Sequence, residues 1–387
     1  MYRLVYLAYM LMVASAGVTF VFLEDIESDY GISPWGIGLI SALSFFTAVI
    51  AALAIAPYGD RGHLRTLGYL SFATAIAGNV WIGFATELWS ISISRGLAGL
   101  GAGVFSVVGR KALIGTDTDD GGETIGGFIS AAVAGFIAGP ALGAQLSEWG
   151  GIETPYLVLA ALLLIITVPT LRWLGSIEVA TDEHTSISEM IPLLKEPGVR
   201  AAVAVQIGLF FNIGVFDATV DEYLTDLGVS NAQVGLILII IASPLLVIPR
   251  LAGRFVDNAE RPARLMLAGF ALFVPIVLTL GVWNGVAVFI GFAFAQTALE
   301  STLFPTTARV VLNETGAERS AIGTGLVDAA GSLAASVSAF VAPVVYDAAG
   351  GPRGSFGMSA SVGFALLCYG WWSVRQRDLT KSAVAAT

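Results

Sequence analysis

Twelve runs of apolar residues recur along the chain, each close to the roughly 20 residues an α-helix needs to cross a bilayer, and few folds can be built from such a series. They fall near residues 4–24, 35–58, 66–86, 88–108, 124–146, 155–174, 199–221, 232–252, 264–283, 285–306, 320–346 and 355–374. Backbone polar groups in hydrocarbon must be satisfied within the protein, so the choice lies between helices and a closed barrel. Barrel strands alternate over about ten residues; these runs are longer and uniformly apolar, which predicts an all-α membrane protein of twelve transmembrane helices. Composition agrees. Apolar residues make up 56% and charged residues 12% of the chain, with a mean hydropathy of +0.81, a balance that no ordinary soluble domain of this size could solvate. The 45 glycines are spread through the runs, as expected where small residues let helix backbones approach in lipid. The first run has the outline of a signal peptide, with Arg3 ahead of an apolar core and "ASAG" at 14–17, but it continues to Leu23, beyond a usual signal core. The lone Cys368, inside the last run, excludes an intrachain disulfide framework and is read as a packing residue.

The chain also repeats itself. "GISPWGIGLI" at 31–40 returns as "GVSNAQVGLI" at 228–237, with five of ten positions identical at an offset of 197 residues. At the same offset Glu24-Asp25 returns as Asp221-Glu222, Asp60 as Asp257, and Ile125-Gly126 as Ile322-Gly323. The chain therefore reads as two six-helix halves of one plan, related by an axis along the membrane normal. The expected divisions are 1–174 for the first half, 175–198 for a cytoplasmic linker, 199–375 for the second half and 376–387 for a cytoplasmic tail. Ser33 and Ser230 fit helix N-caps, with Pro34 in the first turn of one helix and Gln233 completing a capping box in the other. In the polar linker, 188–196 fits a short surface helix ended by Pro197, and His184 is read as solvated, as is His63 in the turn after the second run.

Basic residues stay on the cytoplasmic side of short loops. With the N-terminus inside, all but two of the 19 Lys and Arg fall on cytoplasmic loops or span ends; Arg353 falls outside and Arg95 within the fourth span. Both termini are thus expected in the cytoplasm, with the chain integral to the cytoplasmic membrane. The outer loops are acidic ("EDIESDYG", "DEYLTDLG"), so the formal charge of −10 offers no basic surface for nucleic acid.

Three stretches carry more than topology. The turn after the second span reads "APYGDRGHLRTLGY" (56–69) and its repeat "GRFVDNAERPAR" (253–264); by themselves these are charged turns that fix orientation. The fourth span contains "RGLAGLGAG" (95–103), where Arg95 must be paired or face a wet cavity because an Arg inside a span is costly. The fifth contains "GFIAGPALGA" (135–144), with Gly135, Gly139 and Gly143 on one face and Pro140 removing a backbone hydrogen bond. Twelve spans as six plus six, with these stretches in these places, resemble the major facilitator superfamily of secondary transporters over nearly the whole chain. The resemblance implies a central cavity lined by spans one, four, seven and ten, a monomer working by alternating access, and a cytoplasmic gate at Asp60, Arg61 and Arg65 with Arg110 a candidate partner. The second gate copy keeps Gly253 and Asp257. Departures are Ala56 where the family has Gly, Gly62 directly after Arg61, and Asn258 in place of Arg. Gly135, Gly139, Pro140 and Gly143 look like the signature found mainly in proton-coupled exporters of drugs and other small molecules.

Acids inside apolar spans are the remaining candidates for a substrate and proton pathway. Glu300 lies deep in the tenth span on a stripe with Gln296 and Thr307. Asp217 lies in the seventh, on a stripe with Gln206, Phe210 and Asp221, and Asp328 in the eleventh. The resembled fold favours Glu300 and Asp217 over Asp328, with Arg95 facing the acids of the other half. A proton affinity that depends on burial and on the distance to Arg95 couples protonation to conformation. No phosphate-binding loop surrounds Lys111, Lys195 or Lys381, no His/Cys cluster suggests a metal, and no nucleophile has a base at recognisable spacing. Neither an enzyme nor a cofactor is expected. The reading is a proton-coupled exporter of small amphipathic molecules; a symporter or facilitator importing a sugar or metabolite is the alternative, and a transporter-like sensor or assembly partner a third.

Overall fold

Pro34, Pro197, Pro244, Pro262 and Pro352 each open a helix, where the missing N–H costs nothing and the fixed φ suits the first turn. Helices close on glycine. Gly31 and Gly228 adopt left-handed backbone, with φ of 61° and 79°, a conformation that L-residues with a Cβ avoid. These two glycines are the first letters of the repeated ten-residue stretches, so each repeat encodes a helix stop and the next helix's start. At the second copy, the Ser230 N–H donates to Gln233 Oε1 at 3.2 Å, half of a capping box. Ser33 has extended backbone but makes no side-chain cap, and Pro34 alone marks that start.

The computed structural model describes residues 2–55, 58, 63–116, 121–177, 190–257, 259, 261–283, 285–316 and 319–385. In chain order the helices are α1 (Tyr2–Val18), α2 (Leu23–Tyr30), α3 (Pro34–Ile50), α4 (Leu64–Ile82), α5 (Leu88–Thr116), α6 (Gly121–Gly150) and α7 (Glu153–Leu174). After them come α8 (Pro197–Asp226), α9 (Asn231–Ala242), α10 (Pro244–Asp257), α11 (Pro262–Val282), α12 (Val286–Thr315), α13 (Ser320–Ala348) and α14 (Pro352–Ala385). Helical stretches occupy all twelve expected places; ten are long and apolar enough to span a membrane by themselves. The other two, α4 and α14, carry Arg65 and a basic last segment. No strand occurs among the described residues.

Three boundaries differ from expectation for local reasons. The first run breaks: α1 ends at Val18, a 3-10 turn covers Thr19–Val21, and the acidic segment forms its own helix, α2. Apolar composition is the same in both helix types, so the break left no trace in hydropathy. The eighth run divides at Ser243, just ahead of Pro244. Within the linker, residues 191–195 form a 3-10 turn, and Pro197 begins α8 rather than ending a helix.

By packing, the chain divides into two compact units: residues 1–184 with 220–240, and residues 185–219 with 241–387. The boundary cuts through α8, whose last two turns, from Val220 to Asp226, go with α1–α7. In the first unit α1 lies along α6, and both α3 and α4 pack on α5. Glycines make this possible: a Cβ on Gly99 would lie 2.6 Å from the Ser44 carbonyl oxygen of α3, and one on Gly101 would lie 2.8 Å from the Ser71 carbonyl oxygen of α4. In the second unit α11 packs on α12 and α14, and α10 on α12. Trp35, Trp89, Trp149 and Trp283 stand exposed near helix ends, where an amphipathic ring suits the headgroup level.

Candidate functional site

Two buried polar centres interrupt the apolar packing, one in each unit. The first surrounds the end of α1. Passing from α-helix to 3-10 turn at Val18 leaves the last carbonyls of α1 short of intrahelical donors. Arg95, on α5 and only 1% exposed, donates from Nη1 to the Ala16 carbonyl oxygen at 2.6 Å, and its guanidinium lies 4.9 Å from the centre of the Phe20 ring. Around the same turn, Ser15 donates to Asn79 Oδ1 of α4 at 2.6 Å, and the Tyr156 hydroxyl of α7 donates to Thr19 Oγ1 at 3.1 Å. Three helices thus hold the α1 break through side chains. Arg95 takes the paired place that a buried cation needs, against a neighbouring helix of its own unit.

Gly135, Gly139, Pro140 and Gly143 also serve α1. A Cβ on Gly135 would strike the Met10 carbonyl oxygen and one on Gly139 the Ala14 carbonyl oxygen, whereas one on Gly143 would lie 3.2 Å from Val18 Cγ1. Pro140 Cδ lies 3.0 Å from where a Cβ on Gly17 would be, and α6 runs unbroken through it. The far side of the same turn meets the start of α9, where a Cβ on Gly235 would lie 2.9 Å from Ala141 Cα.

The second centre lies between α8, α12 and α14. Glu300 is 5% exposed and accepts a hydrogen bond from Gln296 Nε2 at 3.1 Å, one turn away on α12. Asn212 of α8, fully buried, accepts a hydrogen bond at Oδ1 from Ser359 of α14 at 3.1 Å, and its Nδ2 is buried without a hydrogen bond. Next to this group Phe216, Phe289 and Phe356 close together, with ring centres 6.0 and 6.5 Å apart. Neither Asn212 nor Ser359 was found from the sequence. The signal available was an Asn inside an apolar span, but the search followed the acids.

Other candidates lie elsewhere. Gln206 donates to Asp328 Oδ1 at 3.4 Å, and with Phe210 it packs over Gly331 of α13; Phe210 also meets Phe304 edge to face. This face of α8 is turned about 120° from Asn212, six residues on at 3.6 per turn. Asp217 is buried and Asp328 exposed. Asp221, at the α8 end that belongs to the first unit, accepts a hydrogen bond from the Glu24 N–H at 3.1 Å. Asp60 and Arg61 lie outside the described residues. Arg65 is exposed, its Nη2 3.4 Å from the Tyr69 hydroxyl; Arg110 is exposed at the surface of α5. Gly253 and Asp257 fall in the last turns of α10. No cluster of three or more metal-ligating side chains occurs among the described residues.

Helices of this number and length, carrying buried carboxyls inside the apolar spans and built from two repeats, define a polytopic membrane transporter. The sequence pattern of the Major Facilitator Superfamily matches residues 5–216 and again 202–386, once for each repeat, and the chain belongs to that family. It is 26% identical over 360 residues to the multidrug resistance protein MdtG of Proteus mirabilis, covering 87% of this chain and 85% of that one. It is 29% identical over 297 residues to the MFS-type transporter ppzB of Metarhizium rileyi, a match to 62% of this chain that spans only 60% of that protein. A bacterial homologue of the human lysosomal transporter Spinster, solved in an inward-facing and occupied conformation, shares the fold. Its TM-score is 0.77 at 11% identity, over 97% of this chain and 96% of that one.

Proposed function

We propose that the protein exports small amphipathic molecules from the cytoplasm in exchange for protons, working as a monomer with both termini cytoplasmic. One observation carries the reading. Glu300 is a buried carboxyl in the interior of a membrane helix, held by the Gln296 amide of its own helix. Such a group is costly to keep in the membrane without a task. It exchanges a proton when a change of conformation changes its hydration. An amphipathic cation competing for the same carboxylate gives antiport without a separate ion site. Export is further supported by the glycine and proline pattern of α6 and by the likeness to a protein named for multidrug resistance. Arg95 contributes from α5 by holding the end of α1 through the Ala16 carbonyl, and Asp217 is the second carboxyl of the pathway. The gate is placed at Asp60, Arg61, Arg65 and Arg110, with Gly253 and Asp257 as its repeat.

The test uses the full chain in proteoliposomes with an imposed pH gradient and a panel of cationic dyes. Gradient-driven dye movement is expected from the wild type. Glu300→Gln is expected to lose it while retaining dye exchange without a gradient. Unaltered proton dependence in Glu300→Gln and Asp217→Asn alike would overturn the assignment of the carrier.

A further inference from the structure

Arg200 stands in the first turn of α8, half-buried, where a span begins. Its guanidinium lies 6.0 Å from the centre of the Trp372 ring of α14, and its Nη2 donates to Gln376 Oε1, one turn further along that helix, at 3.3 Å. Both partners are neutral. Nε is buried without a hydrogen bond, and no acidic side chain pairs with Arg200 among the described residues. Glu314 of α12 covers α8 at Gly198, two residues before Arg200 and so about 200° away around the helix. Glu196 is exposed ahead of the helix. A guanidinium drawn partly out of water without a counter-charge is costly. The corner therefore holds a fixed cation and calls for an anion from outside the chain.

The aromatic surroundings say what carries that anion. Tyr369 and Trp372 lie ring to ring with 5.8 Å between centres, and they are 43% and 50% exposed. Neither the Tyr369 hydroxyl nor the Trp372 ring N–H has a hydrogen-bond partner among the described residues. Rings with an apolar body and a polar tip sit at the level of lipid headgroups, and Arg200 and Trp372 both lie at the ends of apolar runs, 199–221 and 355–374. The first repeat supplies a contrast. Arg3 lies one repeat length before Arg200, near the start of α1, but it is exposed, and the Trp173 ring is met by Tyr2 instead. A basic residue that only fixes orientation in the membrane needs no seat. Arg3 has none, and Arg200 has one.

We infer that Arg200, Trp372 and Tyr369 form a seat for the headgroup of an anionic phospholipid, with the guanidinium on the phosphate and the two rings beside the glycerol. The planar fork of Arg suits a phosphate, and basic pockets between spanning helices hold such headgroups. A lipid of net negative charge is required, because the phosphate of a zwitterionic lipid already carries its own cation. The lipid so held ties α8, the first spanning helix of the second repeat, to α14, its last. None of this depends on the direction of transport or on which group carries the proton.

Brominated lipids quench tryptophan on contact and read the seat directly. The full-length protein in detergent is titrated with phosphatidylglycerol or phosphatidylcholine brominated on the acyl chains, and Trp372 quenching is taken as the difference from the same protein carrying Trp372→Phe. The wild type is expected to reach half-quenching at about fivefold lower mole fraction of the anionic lipid, the attraction of one basic residue. Arg200→Ala is expected to need equal amounts of the two lipids. Arg375, exposed one residue before Gln376, carries the same charge at the same helix end, and Arg375→Ala is expected to keep most of the preference. Equal half-quenching by the two lipids in the wild type would overturn the inference. So would equal losses in Arg200→Ala and Arg375→Ala, which mark diffuse attraction to a basic surface. If Arg200→Ala does not fold, Arg200→Gln takes its place, and the same loss of preference is required of it.

Discussion

The N–H of Glu24 donates to Asp221 Oδ2 at 3.1 Å, and these two residues are the same position in the two sequence repeats, 197 apart. The Leu23 N–H also turns to the Asp221 carboxylate. Both donors belong to the first turn of α2, whose own cap, Phe22, supplies no side-chain acceptor. Asp221 therefore caps a helix from the other repeat, where the positive end of the helix dipole favours its charge. At the next residue of α2, Asn231 donates to Asp25 Oδ2 at 2.5 Å. The repeat relationship is broken at these contacts: one copy supplies the helix end and the other its cap.

Asp221→Ala should cost about 1 kcal/mol in the stability of α2, the usual worth of an N-cap. A cysteine introduced at Glu27, on α2, is expected to react several times faster with a membrane-impermeant maleimide in the Asp221→Ala background. Equal labelling rates would show that α2 is held without the cap.

The same acidic region gives a pH dependence with a definite sign. Burial raises the Asp25 carboxyl above its ordinary value, an effect that the hydrogen bond from Asn231 partly offsets and the Asp29 charge adds to. Burial, helped by the charges of Asp25, Asp29 and Asp226, raises Glu24 in the same direction. A group raised on folding contributes stability that is present at acid pH and lost as pH climbs through its folded value. Thermal unfolding of the purified protein should therefore fall to lower temperature as pH rises above the ordinary carboxylate range. Asp25→Asn should flatten that slope, and Asn231→Leu, which removes the offsetting donor, should extend it to higher pH. A slope unchanged in Asp25→Asn would assign the dependence to other groups.

Arg95 offers a separate test of the α1 break. Replacing it by Ala leaves the Ala16 carbonyl without its charged donor and removes the cation from the Phe20 ring, for a loss of about 1.5–3 kcal/mol. Lys should recover part of this, since it keeps a donor but loses the planar fork. Thermal unfolding midpoints in the order wild type, Lys, Ala are expected; a Lys variant no better than Ala would mean that the contact with Phe20 outweighs the hydrogen bond.

The repeats, the helix starts after Ser33 and Ser230, and the places of the spans were legible because they depend on composition and on local backbone chemistry. The break at Val18 was not, since α and 3-10 turns share the same apolar residues. The partner of Arg95 was not legible either: the sequence shows that a buried Arg needs an acceptor, and the acids were the obvious ones, whereas the structure uses a main-chain carbonyl that only the break exposes. Asn212 and Ser359 were missed because a neutral polar residue in a glycine-rich span has no periodic signature. Their significance lies in which helices meet, and that is a property of the packing.

The glycines of α6 distinguish a general need for small residues from close approach at particular points. A Cβ at Gly135 or Gly139 would collide with main-chain carbonyl oxygens of Met10 and Ala14, and backbone cannot step aside without moving α1 as a whole. At Gly143 the nearest atom is Val18 Cγ1, at 3.2 Å, the end of a side chain that can shift by a few tenths of an ångström. Ala substitution should therefore divide the series: Gly135→Ala and Gly139→Ala are each expected to cost about 1–3 kcal/mol, the usual penalty of overpacking, and Gly143→Ala less than about 0.5 kcal/mol on the same scale. Thermal unfolding of the three variants in one detergent measures this directly. Because the Cα of Gly17 would lie only 3.0 Å from an added Cβ at Gly139, enlarging either partner should disturb the same contact, and the combined Gly17→Ala, Gly139→Ala variant should lose less than the sum of the two. Three equal losses, or additive effects at 17 and 139, would mean that α1 and α6 do not meet at these points.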